Sequence, residues 1–392
     1  MNDSHRAPPG LTHALRRVRG LVGRGDPSAA TRVIQEALGK AGLTGSTPSV
    51  TPPDARPGAS AGAAGAAEAF AGSGRWRDAL QGVAATARPA TGGARATARP
   101  GPEAPIAPGA RVVRGTLESR HGARDWRLYV PSAAAAGAPL PLVVMLHGCT
   151  QDADDFARGT RMDAVAEAAG AFVLYPEQSQ RANPQRCWNW FKHTHQGAAR
   201  GEPAIVVAMV GHVAANHAID PSRVYAAGLS AGGALAAILG ECAPETFAAV
   251  GVHSGLGAGA ANDMPSAFAA MQGRGAPVRA PRVPTIVFHG DADPTVDAVN
   301  ADRIVEAVTG RASGALRRAE PVRANGRDAE RETWSALGGG APLCERWTIR
   351  GAGHAWSGGD PAGSYTDASG PDASALMMGF FADCGANAAR AA

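Results

Sequence analysis

The sequence predicts an α/β fold over residues 111–387, a mostly parallel central sheet covered by helices on both faces. Three observations predict it. From residue 111 onward, apolar runs of strand length alternate with stretches of helical spacing. Hydrophobic residues make up 45% of the chain, ample for a core, yet no run approaches the roughly 18 apolar residues of a membrane span. One apolar run, VYAAGL, ends on a lone hydroxyl between glycines, Ser230, and small residues suited to a helix follow.

Two segments precede this region. Residues 1–44 carry two short amphipathic patterns. Leu11, Ala14, Leu15, Val18 and Val22 form one face, and Ala30, Val33, Ile34, Ala37 and Leu38 the other. Asp26 and Pro27 suit an N-cap and first helical position for the second. A helical hairpin packed on itself or on a partner is the plain reading; an adhesive arm for a hydrophobic polymer or anionic surface is the sharper one. Residues 45–110 are rich in Ala, Gly, Pro, Ser and Thr, and ATARP occurs twice, so a disordered linker is expected. Residues 1–110 hold 13 basic and 7 acidic residues, a charge of +6; the remainder holds 25 and 27, a charge of −2. The basic character therefore belongs to the N-terminal region. No zinc-finger spacing, base-reading basic helix or aromatic platform is present, which argues against nucleic-acid binding. The opening MNDSHRAPPGLTHALRRVRG lacks the apolar run of a secretory signal.

Strands are expected at 112–117, 126–130, 142–146, 171–175, 223–227, 248–253, 285–289 and 346–350, and helices at 163–169, 204–217, 231–240, 301–308 and 374–382. In such sheets ligands bind at the carboxyl ends of the strands.

Gly228-Leu229-Ser230-Ala231-Gly232 matches G-x-S-x-G between a strand and a helix. A sharp turn there would hold Ser230 strained, with its Oγ in the cleft as a nucleophile. A free serine hydroxyl is weak and needs a base and an orienting acid. In α/β-hydrolases the order is Ser, then Asp or Glu, then His. After the strand at 285–289, HGDADPTVD offers Asp291, Asp293 and Asp297. Asp293 fits the G-x-x-D-x-x-V spacing best, with Asp291 as runner-up or turn cap. His354, in GAGHAW after the last strand, is the expected base; His253 and His289 lie at strand ends, where packed histidines are common. The oxyanion donors are expected to be the N–H of Ala231 and, from the loop LHGCTQ, that of Cys149. His147 is read as shaping that loop. The five cysteines have no metal-ligand spacing, and neither metal nor cofactor is called for.

Together, LHGCTQDADDFARGTRMDAVAEAAGAFVLYPEQS, NPQRCWNWF, GEPAIV, RVYAAGLSAGGA, FHGDADPTV and GAGHAWSGG closely resemble esterases of the poly(3-hydroxybutyrate) depolymerase family, α/β-hydrolases related to feruloyl and acetylxylan esterases. The likeness covers about residues 111–385. It implies the triad Ser230, Asp293 and His354, with the Cys149 amide in the oxyanion hole. It also implies a Cys149–Cys187 disulfide; Cys344–Cys384 is a second expected bridge, leaving Cys242 a buried thiol. Trp188, Trp190 and Trp356 are candidates to wall the acyl chain, the alternative being core packing; the substrate assignment rests on Trp188 and Trp356. The expected substrate is a short-chain polyhydroxyalkanoate or its oligomers. The rivals are a feruloyl or acetylxylan esterase and a non-catalytic granule-binding protein. Secreted family members carry a separate substrate-binding module, none is expected after Cys384, and oligomers or amorphous polyester are therefore the preferred targets. The family and the disulfides point outside the cytoplasm, against the absence of a signal peptide.

Overall fold

The computed structural model describes residues 106–311, 314–337 and 342–391. The expected N-terminal hairpin and surface arm (1–44) lie outside the described residues, as does the linker up to residue 105.

Ten strands form one sheet: β1 (Arg111–Ser119), β2 (Gly122–Val130), β3 (Leu140–Leu146), β4 (Phe172–Pro176), β5 (Ile219–Leu229), β6 (Ala249–His253), β7 (Thr285–Gly290), β8 (Leu316–Ala324), β9 (Arg327–Ser335) and β10 (Pro342–Ile349). Their spatial order is β1-β2-β4-β3-β5-β6-β7-β10-β9-β8. From β4 through β10 each neighbouring pair is parallel. An antiparallel hairpin closes each edge. The parallel strands read as continuous apolar runs because both faces are covered. Leu142 to Leu146 are all fully buried.

Alternation along the strands divides the core. Leu142, Val144 and Leu146 join the cluster packed by α3 (Gly201–Asn216) and α4 (Ala231–Cys242). Val143 and Met145 join the opposite cluster, packed by α1 (Ala153–Thr160), α2 (Met162–Ala169) and α7 (Ala373–Ala391). A short helix α5 (Met264–Ala269) follows β6, and α6 (Val299–Thr309) follows β7.

The same alternation corrects one expected disulfide. Cys149 and Cys187 are bonded, at an S–S distance of 2.04 Å. Cys344 and Cys384 are both free and buried. Cys344 packs with Val287, Ile304 and Val308, beneath α6. Its strand neighbours Trp347 and Ile349 point the other way, into the cluster that holds Cys384. The two thiols therefore lie on opposite faces of the sheet. Cys242 is free but half-buried.

Candidate active site

Strand β5 delivers Ser230 at its carboxyl end. The serine has φ 58° and ψ −119°, a conformation costing a non-glycine residue about 1–3 kcal/mol. Two bonds hold it. Its N–H donates to the His253 carbonyl at 2.9 Å, and its carbonyl accepts the Ala234 N–H at 2.9 Å, opening α4. The flanking glycines are steric requirements. A Cβ on Gly232 would lie 2.0 Å from the Leu146 carbonyl oxygen, and one on Gly228 2.4 Å from the Gly232 carbonyl carbon. Backbone meets backbone here, and the α4 N-terminus brings its positive dipole end to the serine.

Asp293 lies beyond the end of β7. Its Oδ1 accepts the N–H groups of Thr295 at 2.8 Å and Val296 at 3.0 Å. Its Oδ2 accepts His354 Nδ1–H at 2.7 Å. The Asp293 side chain is fully buried and that of His354 is 6% exposed. Burial alone would raise the Asp293 carboxyl; the hydrogen bond and charge of His354 outweigh it and hold the group below its ordinary range. This bond fixes the His354 tautomer and leaves Nε2 to accept a proton. Asp291 instead accepts the Gly351 N–H at 2.6 Å, tying the His354 loop to the end of β7, and Asp297 accepts the Val299 N–H at 2.9 Å at the start of α6.

His253, fully buried between β5 and β7, couples the Ser230 turn to the loop that carries His354. Its carbonyl holds Ser230, and its Nε2 accepts the Ser357 N–H at 3.0 Å, three residues after His354. Its Nδ1–H donates to Ser254 Oγ at 3.2 Å. His289 likewise donates Nε2–H to the Val296 carbonyl at 2.8 Å. Both are packed, hydrogen-bonded histidines, as their strand-end positions suggest.

The loop after β3 flanks Ser230: a Cβ on Gly148 would sit 3.7 Å from Ser230 Cβ. The Gly148 N–H donates to Gln151 Oε1 at 2.9 Å and the Thr150 N–H to the Gln185 carbonyl at 2.7 Å. Between them, the Cys149 N–H has no acceptor among the described residues. His147 shapes the loop from beneath. Its Nδ1–H donates to the Gly148 carbonyl at 2.7 Å, and its Nε2 accepts the Gln178 N–H at 3.0 Å.

The tryptophans correct the expected acyl wall. Trp188 and Trp356 are 0% and 1% exposed. Trp188 donates its indole N–H to the His147 carbonyl at 3.1 Å, and Trp356 donates to Ser374 Oγ at 3.1 Å while stacking on His253 at 5.1 Å. Each places its ring in the core and its one donor on a buried acceptor, so neither faces a substrate. Trp190 is also buried.

Sequence reasoning missed the role of Glu202, in the first turn of α3. This carboxylate is 1% exposed. It accepts the Asn189 N–H at 2.6 Å and Asn189 Nδ2 at 2.7 Å, and it also accepts Gln178 Nε2. His195 Nδ1 lies 3.3 Å away and an Arg124 nitrogen 3.7 Å away. Burial would raise Glu202, but His195 and the amide donors hold it below the ordinary glutamate range. Gln178 in turn donates to the Cys187 carbonyl at 2.9 Å and, through its backbone, to His147. Glu202 thus anchors the disulfide loop that props the loop after β3. The sequence signal was an acidic residue in the motif GEPAIV, at the start of an apolar helix.

Burial pushes His147 down to about 4 and His253 down to about 3. Both are neutral in the fold, whereas the unfolded chain binds their protons near pH 6.5. Stability is therefore complete above that pH and declines as pH falls below it. Between pH 7.5 and 5.5 the two should cost about 3 kcal/mol together. Urea midpoints at those two pH values check this; equal midpoints would show that the two rings do not stay neutral in the fold.

Comparison with known proteins places the chain in a family. Residues 124–331 match the family model described as esterase PHB depolymerase. Poly(3-hydroxyalkanoate) depolymerase C of Paucimonas lemoignei is 32% identical over 251 residues, 58% of this chain and 57% of that protein. Feruloyl esterase B of Neurospora crassa is 34% identical over 144 residues, 35% of this chain and 47% of that protein. The chain thus spans about half the length of these curated relatives. Among solved structures, an acetyl xylan esterase from Aspergillus awamori is similar with a TM-score of 0.48 at 19% identity, covering 62% of this chain and 94% of that one. Because the matched residues span more than half of the chain, it belongs to the PHB depolymerase family of esterases.

Proposed function

We propose that this chain is a serine esterase that hydrolyses short-chain polyhydroxyalkanoate, or its oligomers, through an acyl-enzyme. The observation that carries the reading is the 2.7 Å bond between His354 Nδ1 and buried Asp293, on a loop that His253 couples to the Ser230 elbow. His354 Nε2 takes the proton of Ser230 as Oγ attacks the ester carbonyl. Asp293 orients the imidazole and stabilises its cation. The amides of Cys149 and Ala231 receive the developing oxyanion. Collapse of the tetrahedral intermediate expels the alcohol, protonated by His354. Water activated by the same imidazole then cleaves the acyl-enzyme and releases a 3-hydroxy acid or shorter oligomer. The depolymerase relative supports the polyester substrate. The feruloyl esterase relative favours the second reading, cleavage of aromatic esters on plant polysaccharide.

Initial rates on a soluble trimer of 3-hydroxybutyrate and on methyl ferulate separate the two. We expect kcat/KM at least about tenfold higher for the trimer, a margin of about 1.4 kcal/mol. The reverse ratio would assign the chain to feruloyl esters, and loss of both activities with intact folding would favour a binding protein.

A further inference from the structure

A cavity of 430 Å³ lies at the amino ends of β3 and β5, the end of the sheet opposite Ser230. Tyr225 lines it and precedes Ser230 on the same strand, about 17 Å away along β5. Much of the lining is apolar, contributed by Pro141, Ala169, Met378 and Phe381. A volume of this size suits a small ligand.

One polar group in the wall has no partner. Tyr225 is 2% exposed and its ring stacks on Phe381 at 4.7 Å, yet its hydroxyl makes no hydrogen bond to the described residues. Buried hydroxyls are usually paired, because leaving one unpaired is costly. A Cβ on Gly385 would lie 2.7 Å from this hydroxyl oxygen and 3.3 Å from Arg223 Cγ. Gly385 and Arg223 also line the cavity, so the hydroxyl is set among its lining residues. Glycine is a poor residue inside a helix; at position 385 of α7 its missing side chain leaves room beside the hydroxyl.

The chemistry of the wall defines the missing partner. Burial pushes Tyr225 up to about 12, so the hydroxyl keeps its proton at ordinary pH and can donate it. The charged groups nearby are already engaged. Arg223 Nε–H donates to Asp220 Oδ2 at 2.6 Å, and Arg223 Nη2 donates to the Pro139 carbonyl at 3.1 Å. Asp220 Oδ1 accepts the Ser222 N–H at 2.9 Å and its hydroxyl at 2.6 Å. The pair cancels in charge, so nothing here draws an ion. The partner that fits is neutral, largely apolar and equipped with an oxygen acceptor.

We propose that this cavity is a second, non-catalytic binding site for a small neutral carbonyl compound, whose oxygen accepts the Tyr225 hydroxyl proton while its alkyl groups pack on Met378 and Phe381. The site stands apart from the triad and does not depend on that reading.

The probe is 2-hexanone, a ketone that an esterase cannot hydrolyse, with binding to the full chain followed by saturation-transfer NMR. A Kd of about 1 mM is expected, within the bound for so small a ligand. Tyr225→Phe keeps the ring and its stack and removes only the hydroxyl; it should weaken binding at least about fivefold. Ala382→Phe, at an exposed position of the lining, fills the cavity and should abolish binding. Both variants should keep the wild-type kcat/KM for p-nitrophenyl butyrate, and the ketone should not compete with that ester. Equal affinity in the wild type and Tyr225→Phe, which would leave the hydroxyl to water, overturns the inference. So does the absence of saturable binding, or competitive inhibition with a constant equal to the Kd, which would place the probe in the Ser230 cleft.

Discussion

Ser230→Ala is expected to lower kcat on any ester substrate by on the order of 10⁶, the scale set when a serine nucleophile is removed from a working triad. The fold should be untouched. The change removes one oxygen and leaves both backbone bonds of the elbow, the N–H to the His253 carbonyl and the carbonyl to the Ala234 N–H. A change in unfolding free energy within about 0.5 kcal/mol is therefore expected. Steady-state rates and urea midpoints on the same preparation measure both. A variant retaining a tenth of the wild-type rate would mean that another group is the nucleophile.

Glu202→Ala should have the largest effect on stability. The carboxylate is 1% exposed and receives three amide donors from Asn189 and Gln178, with His195 and Arg124 beside it. Removing it strands those donors and leaves the buried Arg124 guanidinium without its carboxylate. Breaking a buried pair in this way costs about 3–5 kcal/mol. Glu202→Gln keeps an acceptor and should lose less, about 1–3 kcal/mol. Because Gln178 bonds both His147 and the Cys187 carbonyl, kcat should fall as well, with KM little changed. Stability losses below about 1 kcal/mol in Glu202→Ala would remove the bracing role.

These two residues show what the sequence made legible and what it did not. Ser230 was readable because its motif is a steric consequence: a Cβ at Gly228 or Gly232 collides with backbone, so the glycines stand in the sequence itself. The parallel strands were readable for a similar local reason, since burial on both faces demands unbroken apolar runs. Glu202 carried no such mark. Its importance comes from partners spread between Arg124 and His195, and only folding brings them together.

The β8–β9 hairpin was missed although its turn carries Asn325-Gly326, with φ of 46° and 80°, a strong hairpin dipeptide. The strands hid it. LRRAEPVRA and RDAERETWS show charges where alternating apolar residues were sought, because the hairpin is stabilised in part by ion pairs, Arg317–Glu332 at 2.5 Å and Arg331–Glu320 at 3.3 Å among them. Trp188 and Trp356 failed differently. An indole beside a catalytic motif can face the cleft or brace the loop behind it, and sequence proximity is the same in both cases. What decides is the N–H acceptor, and for both rings that acceptor is buried protein. The Cys344–Cys384 pairing failed on strand parity, which a one-residue uncertainty in the pleat of β10 suffices to reverse.

The central claim is that His354, held by Asp293, activates Ser230. Covalent labelling with a fluorophosphonate followed by peptide mass mapping tests it most directly. One adduct should form, on the peptide containing Ser230; Ser230→Ala should take none, and His354→Ala should label far more slowly. An adduct at any other residue, or equal labelling of the Ser230→Ala variant, would contradict the account.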